Sequence, residues 1–179
     1  MIFKRLNIKD VIEITPNIHE DIRGFFYESY RKDMLENFIK KKINFCQENQ
    51  SKSKKSVFRG LHYQLPPFEQ SKLVSVIKGS IIDVVVDIRK NSLTFLKNIQ
   101  IELSEENKKQ LFIPKGFAHG FYIKSEEAII SYKVDSYYKK NSEIAINALD
   151  PKLNLNLKSN KFIFSDRDLL APNFDKIIF

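Results

Sequence analysis

Several residue types are scarce in this chain, and their scarcity excludes several classes of protein. The 179 residues include one cysteine, Cys46, and no tryptophan. A single cysteine cannot form an intramolecular disulfide or supply a multi-cysteine zinc or iron–sulfur site. The 5 glycines and 6 prolines are too few for a collagen-like or low-complexity protein. No apolar run approaches the roughly 18 residues that a membrane span requires, and the N-terminal residues MIFKRLNIKD lack the apolar stretch of a signal peptide.

The remaining composition is that of an ordinary globular protein. Hydrophobic residues make up 42% of the chain and charged residues 29%, which predicts a packed core rather than disorder. The length corresponds to one domain, which we expect to span residues 1–179. Together with the single cysteine, these features predict a soluble protein of a reducing compartment, the cytoplasm.

The charge balance favours an anionic partner. The chain carries 30 lysines and arginines against 22 acidic residues, a formal net charge of +8. Positive charge of this size attracts anions, but no DNA- or RNA-binding motif accompanies it. We therefore expect no nucleic-acid partner and no membrane partner. Most of the lysines are expected on solvated faces, and a small phosphorylated ligand is the alternative use of the charge.

Hydrophobic periodicity predicts an all-β protein. The run Leu73–Ile88 consists of two apolar, β-branched stretches broken at Gly79, which predicts a hairpin. Short strands separated by turns every 8–12 residues are typical of a sandwich or a barrel. The other predicted strands are Gly24–Ser29, Asn44–Gln50, Phe58–Gln64, Phe95–Leu103, Gln110–Ile113, His119–Ile123 and Glu126–Tyr138.

Two short helices are predicted outside the strands. Lys32–Lys41 carries an apolar stripe with helical spacing, and a turn of helix is expected after Ser165, where Ser-x-x-Asp is an N-cap pattern. The residues after Asn141 are expected to be irregular. They are expected to pack on the barrel, because Phe162, Phe164 and Leu169 would be costly to expose.

The three histidines are the first candidates for chemistry. His62 lies in the predicted strand FRGLHYQ and His119 in IPKGFAHGF, whereas His19 has no special context. Inward positions of a small barrel are either core or pocket lining. The run of polar residues that includes Arg59, His62 and Lys72 would make a poor core, because buried charges need partners. From the residues alone, a pocket and a structural role for His62 are about equally supported.

A metal site is not predicted. Many small β-barrels bind a metal through His-x-His followed by a later Glu and His. Here the corresponding residues are His62-Tyr63-Gln64, so the second imidazole is missing. The remaining histidines and carboxylates leave too few ligands for a tight transition-metal site.

A set of motifs, taken in order, resembles the nucleotide-sugar 3,5-epimerase family. They are DIRGFFYESY (21–30), FCQENQSKSKKSVFRGLHYQ (45–64), SKLVSVIKGSIIDVVVDIRKNSLTF (71–95), IPKGFAHGF (113–121), SYKVDSYYKKNSE (131–143) and SDRDLLAP (165–172). The resemblance implies a cupin jelly-roll barrel with one or two short peripheral helices. It also implies a homodimer that needs no cofactor and no metal.

The resemblance further implies an isomerase that epimerises an NDP-4-keto-6-deoxy sugar at C3 and C5, in the biosynthesis of deoxysugars and surface polysaccharides. It assigns His62 as the base, Asp168 as the carboxylate that orients it, Lys72 as the group that stabilises the enolate oxygen and Tyr132 as the acid. Substrate-binding residues implied in the same way are Arg23, Glu28, Gln47, Asn49, Arg59, His119, Tyr138, Glu143 and Arg167. Arg23 and Glu28 are expected to reach the partner subunit's pocket.

Several alternatives stay open at this point. The family commonly has Phe-Gly before Asp-x-Arg-Gly, and this chain has His19-Glu20 there, so the nucleotide could be dTDP or GDP and the sugar a hexose or a heptose. Epimerisation could be confined to C3. From other classes, a non-catalytic sugar-nucleotide-binding cupin and a metal-dependent cupin oxygenase or isomerase are also considered.

Overall fold

The computed structural model describes residues 1–157 and 161–177. Within these ranges the chain forms thirteen strands and two α-helices. The strands are β1 (Ile2–Arg5), β2 (Ile12–Thr15), β3 (His19–Asp21), β4 (Gly24–Phe26), β5 (Gln47–Lys54), β6 (Phe58–Gln64), β7 (Lys72–Lys78), β8 (Ser80–Asp87), β9 (Asn98–Ser104), β10 (Gln110–Ile113), β11 (Phe117–Ile123), β12 (Glu127–Val134) and β13 (Glu143–Ala145). The helices are α1 (Lys32–Ile39) and α2 (Asp166–Leu169), and 3₁₀ turns cover Lys140–Ser142, Pro151–Leu153 and Phe174–Lys176.

Two antiparallel sheets form the barrel. The six-stranded sheet has the order β1-β2-β10-β7-β12-β5, and the five-stranded sheet has the order β13-β6-β11-β8-β9. Strands β3 and β4 pair only with each other, as a separate hairpin. This is the all-β jelly-roll architecture expected from the sequence, with two short helices outside the sheets.

The predicted hairpin across Gly79 is wrong. Strand β7 pairs with β10 and β12 in one sheet, whereas β8 pairs with β9 and β11 in the other. Gly79 is therefore a corner at which the chain passes between sheets. It has a φ of +76°, and a Cβ there would lie 2.1 Å from the carbonyl oxygen of Glu127. A glycine in such a run indicates a sharp bend, but it does not indicate whether the strands before and after it pair with each other.

The main core lies between the two sheets. Val74 and Ile130 from the six-stranded sheet pack with Val85, Leu103 and Phe121 from the five-stranded sheet. All five side chains are buried, and each contributes about 1.5–3 kcal/mol by leaving water.

Both outer faces of the barrel are partly covered. Helix α1 packs Leu35 and Phe38 on the outside of the six-stranded sheet. The C-terminal segment covers the five-stranded sheet, where Phe162 and Phe164 contact Phe58. The expected packing of these two phenylalanines is confirmed, but the expectation for Leu169 is wrong, since 62% of Leu169 is exposed. Among the described residues, no helix is long and apolar enough to cross a bilayer.

Candidate active site

A cavity of about 550 Å³ opens between the two sheets at one end of the barrel. Residues from both sheets and from the C-terminal segment line it. All four residues predicted as catalytic lie on its wall, together with seven of the nine predicted to bind substrate: His62, Lys72, Tyr132, Asp168, Gln47, Asn49, Arg59, His119, Tyr138, Glu143 and Arg167.

An imidazole and a carboxylate form a close pair on one wall. His62 Nε2 lies 2.6 Å from Asp168 Oδ1, and the side chains are 29% and 5% exposed. Helix α2 positions the carboxylate, because Ser165 caps the helix by accepting a hydrogen bond from the Asp168 backbone N–H. Burial opposes ionisation of Asp168, but hydrogen bonds from His62 and from the Gly60 backbone N–H outweigh it and hold its pKa below the ordinary value of 3.8.

Arg59 and His62 share the cavity although they are three residues apart on β6. In a regular strand this spacing would place the two side chains on opposite faces. The pairing of β6 with β11 shifts register between His119 and Phe121, opposite Arg59 and His62. Such an irregularity re-aims side chains locally, and here it allows both residues to line one pocket.

The other wall carries an amine and a phenol. Lys72 begins β7 and Tyr132 lies on β12, which are neighbours in the six-stranded sheet. Lys72 Nζ lies 5.9 Å from the centre of the Tyr132 ring. Both side chains point the same way as the core residues Val74 and Ile130, because each is two residues from one of them along its strand.

Burial changes the acidity of both groups. It lowers the pKa of Lys72 to about 8, partly opposed by the negative charges of Glu143 and Asp135. Burial also raises the pKa of Tyr132, and the charge of Glu143 adds to that rise. An amine and a phenol in this state can each donate a proton or a hydrogen bond to a substrate oxygen or carbon near neutral pH.

Hydrogen bonds hold the other polar residues around the cavity rim. Arg59 Nε donates to Ser53 Oγ at 2.9 Å. Glu143 accepts a hydrogen bond from Tyr138 Oη at 2.9 Å and pairs closely with Arg167. These contacts fix guanidinium, phenol and carboxylate groups at the opening, where a polar substrate would enter.

His119 lines the pocket and belongs to a second imidazole–carboxylate pair. His119 Nε2 is 2.8 Å from Oδ2 of Asp83, and the Asp83 side chain is fully buried. The sequence analysis named His119 but missed Asp83. The sequence does contain an indication that Asp83 has a special role, because an aspartate inside the apolar run 81–86 is a poor core residue. Gln70 and Ser51 also line the cavity, and no sequence pattern singled them out.

Arg23 and Glu28 lie outside this cavity. Arg23 follows strand β3 in the separate hairpin, is 86% exposed and pairs with Asp21. Glu28 pairs with Arg31. Within one subunit, the structure does not bring either residue to the pocket, and their predicted role in a partner subunit stays a prediction.

Among residues 1–157 and 161–177, no group of three or more histidine, cysteine, aspartate and glutamate side chains is placed to hold a metal ion. Ionisable groups of the pocket contact other side chains: His62 pairs with Asp168, Lys72 donates to Gln70 and Arg59 donates to Ser53. An enzyme that inverts a carbon centre must take a proton from one face and return one to the other, and this barrel carries suitable groups on both sheets. Fold and site together define a jelly-roll isomerase.

Comparisons with known proteins identify the family. The family model for dTDP-4-dehydrorhamnose 3,5-epimerase matches residues 5–176, and the chain belongs to this family. It is 44% identical to the dTDP-4-dehydrorhamnose 3,5-epimerase of Shigella flexneri, over 95% of this chain and 94% of that protein. It is 43% identical to the enzyme of the same name from Salmonella typhimurium, over 99% and 98% of the two chains.

A solved structure extends the likeness to three dimensions. The dTDP-6-deoxy-D-glucose-3,5-epimerase of Legionella pneumophila, in complex with dTDP-4-keto-L-rhamnose, superposes with a TM-score of 0.95 at 42% identity. The alignment covers 99% of this chain and 94% of that one. The barrel described above is therefore the fold of this family.

Proposed function

We propose that the protein epimerises C3 and C5 of a dTDP-linked 4-keto-6-deoxy sugar, with His62, Lys72 and Tyr132 acting directly on the sugar. The observation that carries this proposal is the placement of His62 on the five-stranded sheet and of Lys72 and Tyr132 on the six-stranded sheet, around one cavity. A sugar ring bound between the sheets would have a base at one face and an acid at the other, which inversion requires.

His62 removes the proton. Asp168 is ionised at neutral pH and can only accept hydrogen bonds, so Nε2 of His62 carries the hydrogen between them. Nδ1 is then the nitrogen with a free lone pair. It takes the proton from C3 or C5, the electron pair of the C–H bond moves toward C4, and the 4-keto oxygen becomes an enolate oxygen. Asp168 stabilises the imidazolium that results.

Lys72 and Tyr132 complete the inversion. The Lys72 ammonium donates to the enolate oxygen, where one well-placed donor contributes about 3–4 kcal/mol. Tyr132 then delivers a proton to the carbon from the opposite face. The electron pair on the enolate oxygen re-forms the C4 carbonyl, and the C=C pair forms the new C–H bond. The Tyr132 phenolate regains a proton from solvent and His62 loses its proton to solvent, which restores both groups. The 4-keto group of the substrate is itself the electron sink, so these steps require no cofactor.

The rim residues would hold the nucleotide. The guanidinium groups of Arg59 and Arg167 suit a diphosphate, because their geometry allows paired hydrogen bonds to phosphate oxygens. Gln47 and Asn49, whose amides are hydrogen-bonded to each other at 2.8 Å, would contact sugar or nucleoside hydroxyls. The dTDP ligand of the Legionella relative supports thymidine as the nucleoside.

A homodimer would complete the pocket. The β3–β4 hairpin joins neither sheet, and it exposes Ile22 fully, Phe25 by 57% and Phe26 by 69%. Apolar side chains on a projecting hairpin favour burial against another chain. In this arrangement Arg23 and Glu28 would enter the partner's cavity. We also place the enzyme in the cytoplasm, because a chain with one cysteine cannot depend on an intramolecular disulfide and so suits a reducing compartment.

Solvent deuterium incorporation tests this function. The protein is incubated in deuterium oxide with dTDP- and GDP-linked 4-keto-6-deoxy sugars, both hexose and heptose, and C3 and C5 are followed by NMR. We expect exchange and inversion at both carbons with the dTDP hexose, and loss of both in His62→Ala. A protein that binds the nucleotide sugar without exchanging either proton is a binding cupin, and this result would overturn the proposal.

The same experiment separates the closer alternatives. Exchange confined to C3 would make the protein a 3-epimerase, and preference for the GDP heptose would replace thymidine by guanosine. Stoichiometric metal in the active protein, with loss of exchange on chelation, would contradict the mechanism in its metal-free form.

A further inference from the structure

Two consecutive hydrogen bonds connect the Lys72 amine through Gln70 to the backbone of Ser136. Lys72 Nζ donates to Gln70 Oε1 at 2.9 Å, and Gln70 Nε2 donates to the Ser136 carbonyl oxygen at 2.8 Å. The backbone between the two residues is anchored as well, because the Ser71 N–H donates to Asp135 Oδ1 at 2.6 Å. Gln70 itself lines the cavity.

The orientation of the Gln70 amide is determined by its two partners. Its NH₂ group faces a carbonyl oxygen and its oxygen faces an amine that donates. The flipped amide would set two oxygens against each other at Ser136 and two sets of N–H groups against each other at Lys72. Both contacts would be repulsive, so only one orientation satisfies the pair.

We propose that Gln70 is a positioning residue for Lys72: its amide is anchored by donation from Nε2 to the Ser136 carbonyl oxygen, and its Oε1 accepts from the Lys72 ammonium and aims it into the cavity. Because this hydrogen bond is made to the charged amine, it favours the protonated form. This inference rests on the proposed function in one respect, the role of Lys72 at the substrate's 4-keto oxygen. One N–H of the ammonium is occupied by Gln70, and the other two are left for the substrate.

A neutral acceptor suits this position better than a carboxylate. Glu143 and Asp135 act on Lys72 through their negative charge. Oδ2 of Asp135 lies 3.8 Å from Nζ of Lys115, and the centre of the Tyr132 ring lies 5.9 Å from Nζ of Lys72. Burial dominates over these charges and sets the pKa of Lys72 at about 8. An adjacent carboxylate would raise that pKa further and would compete with the enolate for the ammonium.

Two substitutions test the inference by opposite effects. Gln70→Leu removes the acceptor at similar volume, and Gln70→Glu keeps an acceptor and adds charge. Lysines labelled with ¹³C are titrated by NMR, and the Lys72 signal is identified by its loss in Lys72→Met. Against a wild-type midpoint near pH 8, we expect Gln70→Glu to move the midpoint upward and Gln70→Leu to move it downward, each by about 1 pH unit.

Kinetics provides the second readout. Lys72 must be protonated to donate, so kcat should decrease at alkaline pH. The pH at which kcat decreases should be higher in Gln70→Glu and lower in Gln70→Leu, as expected for the NMR midpoints. Gln70→Leu should lower kcat about tenfold while KM changes less than about threefold. Gln100→Leu is the matched control, because Gln100 is a half-buried glutamine on β9, outside the cavity lining, whose amide donates a hydrogen bond to Asn98.

The outcomes distinguish this inference from the proposed function. Lys72 midpoints that stay at the wild-type value in both Gln70 variants would overturn the positioning role, whatever the activity. If the midpoints move but Lys72→Met exchanges substrate protons at the wild-type rate, Gln70 controls Lys72 and the proposed catalytic use of Lys72 is wrong.

Discussion

His62 Nε2 lies 2.6 Å from Oδ1 of Asp168, a residue 106 positions later in the chain. The imidazole lies on strand β6 and the carboxylate on helix α2, and the Gly60 backbone N–H also donates to Asp168, at 3.3 Å. The carboxylate is therefore held ionised beside an imidazole that remains 29% exposed to the cavity. This pair links the C-terminal segment directly to the chemistry of the barrel.

Neutralising Asp168 should disable the base. Asp168→Asn removes the charge that stabilises the imidazolium, and an asparagine NH₂ facing Nε2 favours the wrong tautomer of His62. We expect the rate of deuterium exchange at C3 to fall by about 10²–10⁴-fold. Asp166→Asn is the matched control, because Asp166 lies on the same helix but is exposed and outside the cavity lining. A rate within a few-fold of wild type in Asp168→Asn would contradict the role of the pair.

Replacing Tyr132 by phenylalanine should separate exchange from inversion. The variant retains His62 and Lys72, so the enolate still forms and His62 can return a deuteron to the face from which it took the proton. Without a phenol on the other sheet, we expect deuterium to enter C3 while epimerised product falls at least about tenfold. NMR of the recovered sugar measures both quantities in one sample. Equal loss of exchange and inversion would instead place Tyr132 in the deprotonation step.

Mixed dimers test the role of the hairpin in the partner subunit. Arg23→Ala and His62→Ala subunits, each inactive alone, are coexpressed with different tags, and the heterodimer is purified. One of its two pockets then has an intact His62 and receives an intact Arg23, so we expect about half of the wild-type activity per dimer. A heterodimer as inactive as its parents would show that Arg23 does not act across the interface, and a monomer in solution would exclude the dimer itself.

A partly buried ion pair away from the active site should contribute to stability. Asp87 is fully buried and accepts hydrogen bonds from Arg89 Nη2 at 2.7 Å, Ser92 Oγ at 2.6 Å and Thr94 Oγ1 at 2.6 Å. Asp87→Asn removes the buried one of the two carboxylates that pair with Arg89 and leaves Asp10. We expect the free energy of unfolding to fall by about 2 kcal/mol through the lost charge-assisted hydrogen bonds, measured by urea denaturation at pH 7. Asp10→Asn is the control, because Asp10 is a half-exposed partner of the same arginine, and we expect it to cost less than about 1 kcal/mol.

The same carboxylate predicts a pH dependence. Burial opposes ionisation of Asp87, but its hydrogen bonds from Arg89, Ser92 and Thr94 outweigh burial and lower its pKa to about 2. The unfolded chain has the ordinary pKa of 3.8, so this stabilisation is complete above about pH 4 and is lost as the pH falls toward 2. The wild type should therefore lose more stability than Asp87→Asn between pH 5 and pH 2.5, as followed by thermal unfolding. Parallel losses would contradict the assignment.

Much of the local structure could be predicted from the sequence. Strands β6 and β10 have the predicted bounds, and helix α2 follows the Ser165 cap as expected. Helix α1 ends two residues earlier than predicted, at Ile39, where Lys40 adopts a left-handed conformation with φ of 56°. Strands β1, β2, β3 and β13 were missed. Each has only three or four residues, a length at which periodicity alone does not separate a strand from a loop.

The sequence by itself determined where apolar and polar residues alternate, where turns occur and which family motifs are present. These are properties of residues that are neighbours along the chain. Only the tertiary structure decided that Gly79 is a corner between sheets, that a register shift brings Arg59 and His62 to one wall, and that Gln70 supports Lys72. Periodicity reports that a face is buried, but not which strand covers it. The distances that define the site arise from packing between segments far apart in sequence, and no local pattern encodes them.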